Sequence, residues 1–239
     1  MQRYKHLGAL VHHTGGSQVE INQRAATAHQ ALNQHKKVIY QNRQIPLGKR
    51  AELFNMLVLS KLLYGADSWV ATNSKTERKF HTTVINLYKR LAGVQRDDHC
   101  SDTEVLVMVG LPSPEEHLRR ARLRYIVTLV HTELPDIWAL LAHDIFWRGM
   151  LEEDMLWMWK QLKGASELKD PRQHYEQWLA IIEHSPGFWK RLVKRACHHS
   201  VLQRQREHQV CDLHHRVLGR LRPLIHTQDP DADDEDLPQ

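Results

Sequence analysis

Apolar residues recur at helical spacing through most of the chain, and this pattern predicts a mainly α-helical protein. A capping box, Ser17-x-x-Glu20, marks the first helix start, because each of the two side chains can satisfy a backbone amide there. The apolar positions that follow are Ile21, Ala25, Ala28, Leu32 and Ile39. They predict a helix that ends near Gln41. Pro46 then precedes a second helix, predicted over 47–63.

The capping box recurs three more times, at Ser74-x-x-Glu77, Ser101-x-x-Glu104 and Ser113-x-x-Glu116. The helix from Ser74 is expected to end before Gly93, since glycine is the usual residue just past a helix end. Further helices are predicted over 114–133, 136–147, 150–164, 171–184 and 186–219. The fold class that follows is a mainly α, multi-helix bundle.

Residues 1–16 have the pattern of a strand and not that of a helix. Tyr4 to Val11 alternate loosely and precede a Gly15-Gly16 turn signal, which predicts one strand or a short hairpin within residues 1–16. Nothing downstream reads as a partner strand, and an unpaired strand edge is unfavourable. We therefore expect the chain to be a fragment whose partner strands lie upstream.

A proline and changes in charge divide residues 17–239 into three regions. Pro135 separates a basic helical domain, predicted at 17–134, from a tryptophan-rich helical region at 135–226. The end, 227–239, carries six acidic residues and no basic ones, and it is expected to be disordered. The tryptophans of the middle region are Trp138, Trp147, Trp157, Trp159, Trp178 and Trp189. At helical spacing they are typical of a core, although an exposed patch around them would instead dock a protein partner.

Charge indicates a polyanionic partner. Residues 1–125 carry 19 Lys/Arg against 10 Asp/Glu, and residues 185–228 carry 9 against 2, whereas residues 126–184 carry 5 against 10. Ordinary solvated helix faces are the alternative explanation of this charge pattern. The basic residues expected to contact nucleic acid are Lys36, Lys37, Lys49, Arg50, Lys75, Arg78, Lys79, Lys89, Arg90, Arg119 and Arg120.

The sequence offers little for catalysis or metal binding. Three cysteines imply no disulfide framework, and no apolar run suits a signal peptide or a membrane span, so we expect an intracellular protein. Cys100 lacks the glycine pattern of an oxyanion hole, and no phosphate-binding loop motif occurs. One weak zinc constellation is present, formed by Cys197, His208, Cys211 and His215. Amphipathic polar positions on a basic helix explain these residues better.

Several motifs resemble a known family. Tyr4-Lys5-His6-Leu7-Gly8 resembles the F/Y-K-Y-L-G segment of non-LTR (LINE-type) retrotransposon reverse transcriptases, and 62–69, Leu-Leu-Tyr-Gly-Ala-Asp-Ser-Trp, resembles their later L-L-Y-G-x-E-x-W segment. Arg90-Leu91-Ala92-Gly93 and the Leu111-Pro112-Ser113 turn follow in the order expected for that family. The resemblance covers roughly residues 3–130.

The resemblance implies that residues 1–16 correspond to the strand pair that grips the primer, with Tyr4, Leu7 and Gly8 at the grip. It also implies that residues 17–95 correspond to the helical thumb, which holds RNA, an RNA–DNA hybrid or DNA by the backbone. The family's palm motif, Tyr/Phe-Ala-Asp-Asp, is not in this sequence. We therefore expect no catalytic residues, no polymerase activity by the chain alone, and no cofactor unless an upstream palm supplies a Mg²⁺ site. A remnant open reading frame of a decayed element, without a cellular role, is a further alternative.

Overall fold

The computed structural model describes residues 3–6, 9–12, 18–69, 74–95, 98–131, 143–162 and 168–225. Side chains are described for these ranges except at 3–12, 68, 74 and 210–225. Two strands, β1 (Arg3–His6) and β2 (Ala9–His12), pair antiparallel with Tyr4 opposite Val11. The remaining described elements are helical, so the predicted mainly α fold class is confirmed.

The described residues of the first half of the chain form four helices. They are α1 (Gln18–His35) with a π-helical turn at Lys36–Tyr40, α2 (Leu47–Phe54, continued by a π-helical turn at Asn55–Leu59 and by Ser60–Leu62), α3 (Ser74–Ala92) and α4 (Asp102–Val109). Ser101 and Glu104 form the predicted capping box, and Gly93 has the positive φ, 80°, that favours glycine after a helix end. The predicted helix bounds in this half are confirmed to within a few residues.

The second half forms α5 (Pro114–His131), α6 (Ile145–Leu162), α7 (Tyr175–His184) and α8 (Pro186–Ile225). The predicted break between 147 and 150 is wrong, since Gly149 lies inside α6. The buried stripe of Trp147, Leu151, Met155 and Met158 runs through it, and this packing outweighs the low helix propensity of one glycine. The rest of the predicted 136–147 helix lies largely outside the described residues.

Two hydrophobic cores share one helix. The first joins α1 to α4 around Phe54, Phe80 and Tyr88, and the second joins α5 to α8 around Trp178 and Trp189. The N-terminal half of α5 packs on the first core through Leu118 and Ala121, and its C-terminal half enters the second through Leu123 and Ile126. The domain boundary predicted near residue 134 falls among residues outside the description and stays a prediction.

Tryptophans build much of the second core. Trp178 and Trp189 meet edge to face at 5.9 Å between ring centroids, and both are almost fully buried. The indole N–H of Trp189 donates to the Leu123 carbonyl at 2.5 Å, so its one polar group is satisfied. Trp147 is also buried, and Trp138 lies outside the described residues. The described and fully buried tryptophans thus have a structural role.

The turn at 63–69 connects α2 to both cores. Gly65 has a φ of 75°, a conformation that side chains with a Cβ rarely adopt, and it reverses the chain into a short 3₁₀ turn, Ala66–Ser68. Ala66 and Trp69 are buried, and the Trp69 ring meets Phe80 edge-on at 5.8 Å. Because the 3₁₀ turn also packs against α5, it helps to fix the position of that helix.

A buried polar cluster attaches α8 to the start of α5. The Glu116 carboxylate caps α5 at Ser113 and accepts hydrogen bonds from Ser200 and Arg204 of α8. Burial alone would raise the pKa of Glu116, but these hydrogen bonds together hold it below its ordinary value. Next to it, the Tyr88 hydroxyl donates to the Pro112 carbonyl at 2.9 Å and lies 2.7 Å from His117 Nε2.

A second buried pair connects α5 to α6. Arg122 forms two hydrogen bonds, of 2.6 and 2.8 Å, with the carboxylate of Asp154, which is only 1% exposed. Burial raises the pKa of Asp154, and Arg122 offsets part of that effect. Among the described helices, none combines the length and apolarity that a membrane crossing requires.

Removing the buried carboxylate should destabilise the fold. We expect Asp154→Ala to lower the free energy of unfolding by about 3 kcal/mol, because it leaves the Arg122 guanidinium buried without its partner. Urea unfolding followed by circular dichroism would measure this. The matched control is Glu52→Ala, which breaks the exposed Lys49–Glu52 pair and should change stability by less than about 0.5 kcal/mol. Equal effects of the two variants would contradict the argument.

Acid should weaken the fold through His117. Burial, reinforced by the charge of Arg120, lowers the pKa of His117 to about 4 from an ordinary value of 6.5. Between these values the unfolded chain binds the proton and the folded chain does not, so stability falls as pH drops, by about 3 kcal/mol in total. His117→Gln keeps Glu116 but removes this titration. Its unfolding midpoint in urea should therefore depend less on pH between 6.5 and 4.5, and an unchanged dependence would refute the assignment.

Candidate nucleic-acid interface

Helices α1 and α3 lie side by side and run in the same direction. Near their starts, the Thr76 hydroxyl donates to the Gln18 side chain at 2.8 Å. Near their ends, Arg90 donates to Asn33 Oδ1 at 2.5 Å and faces His29 Nδ1 at 3.1 Å. The two helices therefore share a surface that is about 20 Å long, given the rise of an α-helix.

Exposed cations lie at both ends of this surface. Lys75 and Lys79 are exposed in the first turns of α3, and Lys36 and Lys37 are exposed just after α1. Arg78 is also exposed in α3, but it faces a groove toward α5 and α6. In the described part of the chain none of the four lysine side chains forms an ion pair within 4 Å. Their positive charges are therefore available to an external partner.

Arg90 belongs to the same surface, with two neutral partners. Burial, with the added charge of Arg90, lowers the pKa of His29, so His29 is predominantly neutral beside it at pH 7. Asn33 is also uncharged, so the positive charge of Arg90 is oriented without being neutralised. Sequence reasoning missed His29 and Asn33 as neighbours of this site. His29, Asn33 and Lys37 are spaced four residues apart, and this spacing could have shown that they share one face of the helix.

Three other residues that were predicted to contact nucleic acid bind partners within the protein. Arg50 donates to the Tyr40 carbonyl at 2.7 Å and is 3.4 Å from the Leu91 carbonyl, so it joins the ends of α1 and α3. Lys89 is half-buried and lies 3.4 Å from a carboxylate oxygen of Asp102. Lys49 is exposed but pairs with Glu52 at 2.9 Å. The nucleic-acid role assigned to these residues stays a prediction.

Arg119 and Arg120 lie on α5, away from the surface shared by α1 and α3. Arg119 pairs with Glu115, approaches Asp154 at 4.0 Å and covers the Trp157 ring at 5.7 Å, so only 18% of its side chain is exposed. Together with Arg78 it lines a groove of about 430 Å³ between α3, α5 and α6, where acidic residues balance the arginines. Arg120 is half-buried. The structure therefore does not bring all the predicted basic residues onto one face.

The predicted primer grip and the predicted zinc site lie partly outside the described residues. Of the residues predicted to grip the primer, Tyr4 lies in β1, and Leu7 and Gly8 lie outside the described residues. Of the predicted zinc ligands, the side chains of Cys211 and His215 are not described. Cys197 is buried, and burial raises the pKa of its thiol to about 11, which disfavours the thiolate that zinc requires. Among the described side chains no cluster of three or more metal-binding residues occurs.

Cys100 is not an activated nucleophile. Its thiol lies 3.7 Å from the Ser101 carbonyl, and burial together with the negative charge of Glu104 raises its pKa. A catalytic cysteine needs the opposite shift, toward the thiolate. The local geometry is that of a helix start, with the Ser101–Glu104 capping box directly after the cysteine.

We compared the chain with known protein families, solved structures and curated proteins. No protein-family model matches the chain, and no solved structure matches it significantly. Over 173 residues, 71% of this chain, it is 22% identical to an uncharacterised transposon-derived protein of Caenorhabditis elegans. The matched part spans 57% of that relative's length. This similarity is consistent with a transposon origin for the chain.

Proposed function

We propose that the chain is a fragment of a retroelement reverse transcriptase, and that its helices bind the backbone of a template–primer duplex without reading its sequence. The observation that carries the proposal is the surface formed by α1 and α3. It carries four exposed lysines, Lys36, Lys37, Lys75 and Lys79, that form no ion pair among the described residues, and Arg90, which is held by neutral side chains. Such charges suit phosphate groups, which position a protein on nucleic acid without specifying sequence.

The dimensions support a duplex as the ligand. The surface is about 20 Å long, which corresponds to roughly six base pairs at 3.4 Å each. Two groups of cations at its ends could contact the backbone at separated points. The transposon-derived relative and the order of the motifs at 4–8, 62–69 and 90–93 favour a reverse transcriptase as the source of the fragment.

We propose no polymerase activity for this chain by itself. The Tyr/Phe-Ala-Asp-Asp motif, which would hold two Mg²⁺ ions on a rigid sheet, is not among the 239 residues. The contribution of the chain would be to hold the duplex, while catalysis would require a palm. Whether a palm is encoded with it can be read from the coding sequence upstream of Met1.

The alternative, a helical scaffold for a protein partner, depends on an exposed apolar patch in the tryptophan-rich region. Trp147, Trp178 and Trp189 are buried and cannot form one. Among the described residues of this region, the exposed large apolar side chains are Ile145, Phe146 and Phe188, and no tryptophan is among them. The described residues therefore favour nucleic-acid binding.

Binding to a labelled RNA–DNA hybrid should be strong at low salt and should weaken steeply as salt rises from about 50 to 200 mM, because each neutralised phosphate releases counterions. Fluorescence anisotropy would measure the affinity. We expect Lys75→Gln with Lys79→Gln, or Lys36→Gln with Lys37→Gln, to reduce the slope of log K against log salt by about two.

The matched control is Lys160→Gln with Lys169→Gln, which removes two exposed charges from α6 and the loop that follows it. This control should leave both the affinity and the slope close to those of the wild-type protein. Undetectable binding at low salt, or binding that does not respond to salt, would reject the proposed function. Equal losses in the control and in the Lys75 and Lys79 variant would reject the α1–α3 surface.

A further inference from the structure

A second basic surface lies where α5 and α8 pack together. These helices are antiparallel, since Glu116 near the start of α5 binds Ser200 and Arg204, whereas Leu123, two turns later, accepts a hydrogen bond from Trp189. Position 124 of α5 therefore lies beside position 190 of α8. One turn earlier on α5, position 120 lies beside positions 194 to 197.

A notch opens at this junction, next to the 63–69 turn. It is a cavity of about 290 Å³, lined by Arg124 and Thr128 of α5, by Lys190 of α8, and by Gly65 and Asp67 of the turn. The lining thus provides two long cationic side chains, one hydroxyl and one carboxylate. The balance of formal charge within it is positive.

The Asp67 carboxylate lines the same notch, so it offsets one of the two positive charges there. Arg124 and Lys190 are exposed, and neither forms an ion pair with a carboxylate among the described residues. The acidic residues of α5, Glu115 and Glu116, both lie in its first turn and are occupied by arginines. On α8, residues 186–206 contain six Lys/Arg and no Asp/Glu.

The positive surface continues along both helices from the notch. Arg120 lies one turn before Arg124, and Lys194 lies one turn after Lys190 on the same flank of α8. The influence of Arg120 reaches across the junction: burial raises the pKa of the Cys197 thiol, and the charge of Arg120 opposes that rise. The four cations therefore form a strip along the packed helices, and we call it the α5–α8 strip.

We propose that the α5–α8 strip is a second contact for the phosphate backbone of a polynucleotide, with one phosphate seated in the notch between Arg124 and Lys190. This inference rests on the proposed function, because it extends the binding surface of the same nucleic acid. An acidic protein is a poorer match. Protein interfaces depend on large buried apolar anchors, and the notch offers the half-buried Leu63, Ala121 and Tyr125 around its charges.

The test compares three double variants with the wild-type protein, using the labelled RNA–DNA hybrid and the same range of salt. The variants are Arg124→Gln with Lys190→Gln for the notch, Lys75→Gln with Lys79→Gln for the α1–α3 surface, and Lys160→Gln with Lys169→Gln as the control. We expect the notch variant to lose about three- to tenfold in affinity at 100 mM salt and its salt slope to fall by about two. The charge-conserving variant Arg124→Lys with Lys190→Arg should keep most of the affinity.

Each outcome decides a different point. If the notch variant binds like the control, the second contact is overturned, and the α1–α3 surface is judged separately by its own variant. If only the notch variant loses affinity, the second contact is supported and the α1–α3 surface is rejected. If the wild-type protein does not bind the hybrid at low salt, both proposals fall.

A polyglutamate peptide serves as the competing probe. If it binds the wild-type protein as tightly as the hybrid does, and loses affinity equally in the notch variant, the strip recognises acidic protein and the polynucleotide assignment is overturned. Thermal unfolding of every variant would show whether the fold is intact. The charge-conserving variant covers the case in which loss of the Arg124 or Lys190 side chain destabilises the protein.

Discussion

The structure depends on α5, because this single helix packs into both hydrophobic cores. Its first half contacts the core of α1 to α4, and its second half is part of the core of α5 to α8. Such a helix cannot have one apolar stripe and an opposite face of free charges. Its arginines consequently have different roles: Arg122 is buried against Asp154, while Arg124 points to the surface.

This constraint explains how much of the fold could be predicted from the sequence. Capping boxes and glycine helix ends are local signals, and they located the starts at Ser101 and Ser113 and the end at Gly93 correctly. The predicted break between 147 and 150 was wrong, because α6 continues through Gly149 and a buried stripe on both sides of it outweighs the local propensity. The parallel arrangement of α1 and α3 depends on contacts between residues some 60 positions apart, which the local pattern does not encode.

The candidate site was less predictable than the fold, for an electrostatic reason. The sequence gives the number of charged residues, but it does not show which of them form ion pairs or hydrogen bonds within the protein. Arg119 meets Asp154, 35 positions away, and Arg50 meets the carbonyl oxygens of Tyr40 and Leu91, whereas Lys36 and Lys79 remain exposed without such partners among the described residues. Paired surface charges contribute little to attracting an external anion, so the unpaired ones dominate the field outside the protein.

The parallel packing of α1 and α3 also gives the surface an electrical direction. Each helix carries roughly half a positive charge at its N-terminus and half a negative charge at its C-terminus. Because the two helices point the same way, these partial charges add at each end instead of cancelling. At the end with Lys75 and Lys79 they reinforce the side chains, and at the end with Lys36, Lys37 and Arg90 they oppose them. A phosphate backbone lying along the surface would therefore be held more strongly at one end, so the two ends of the surface would not be equivalent to a duplex.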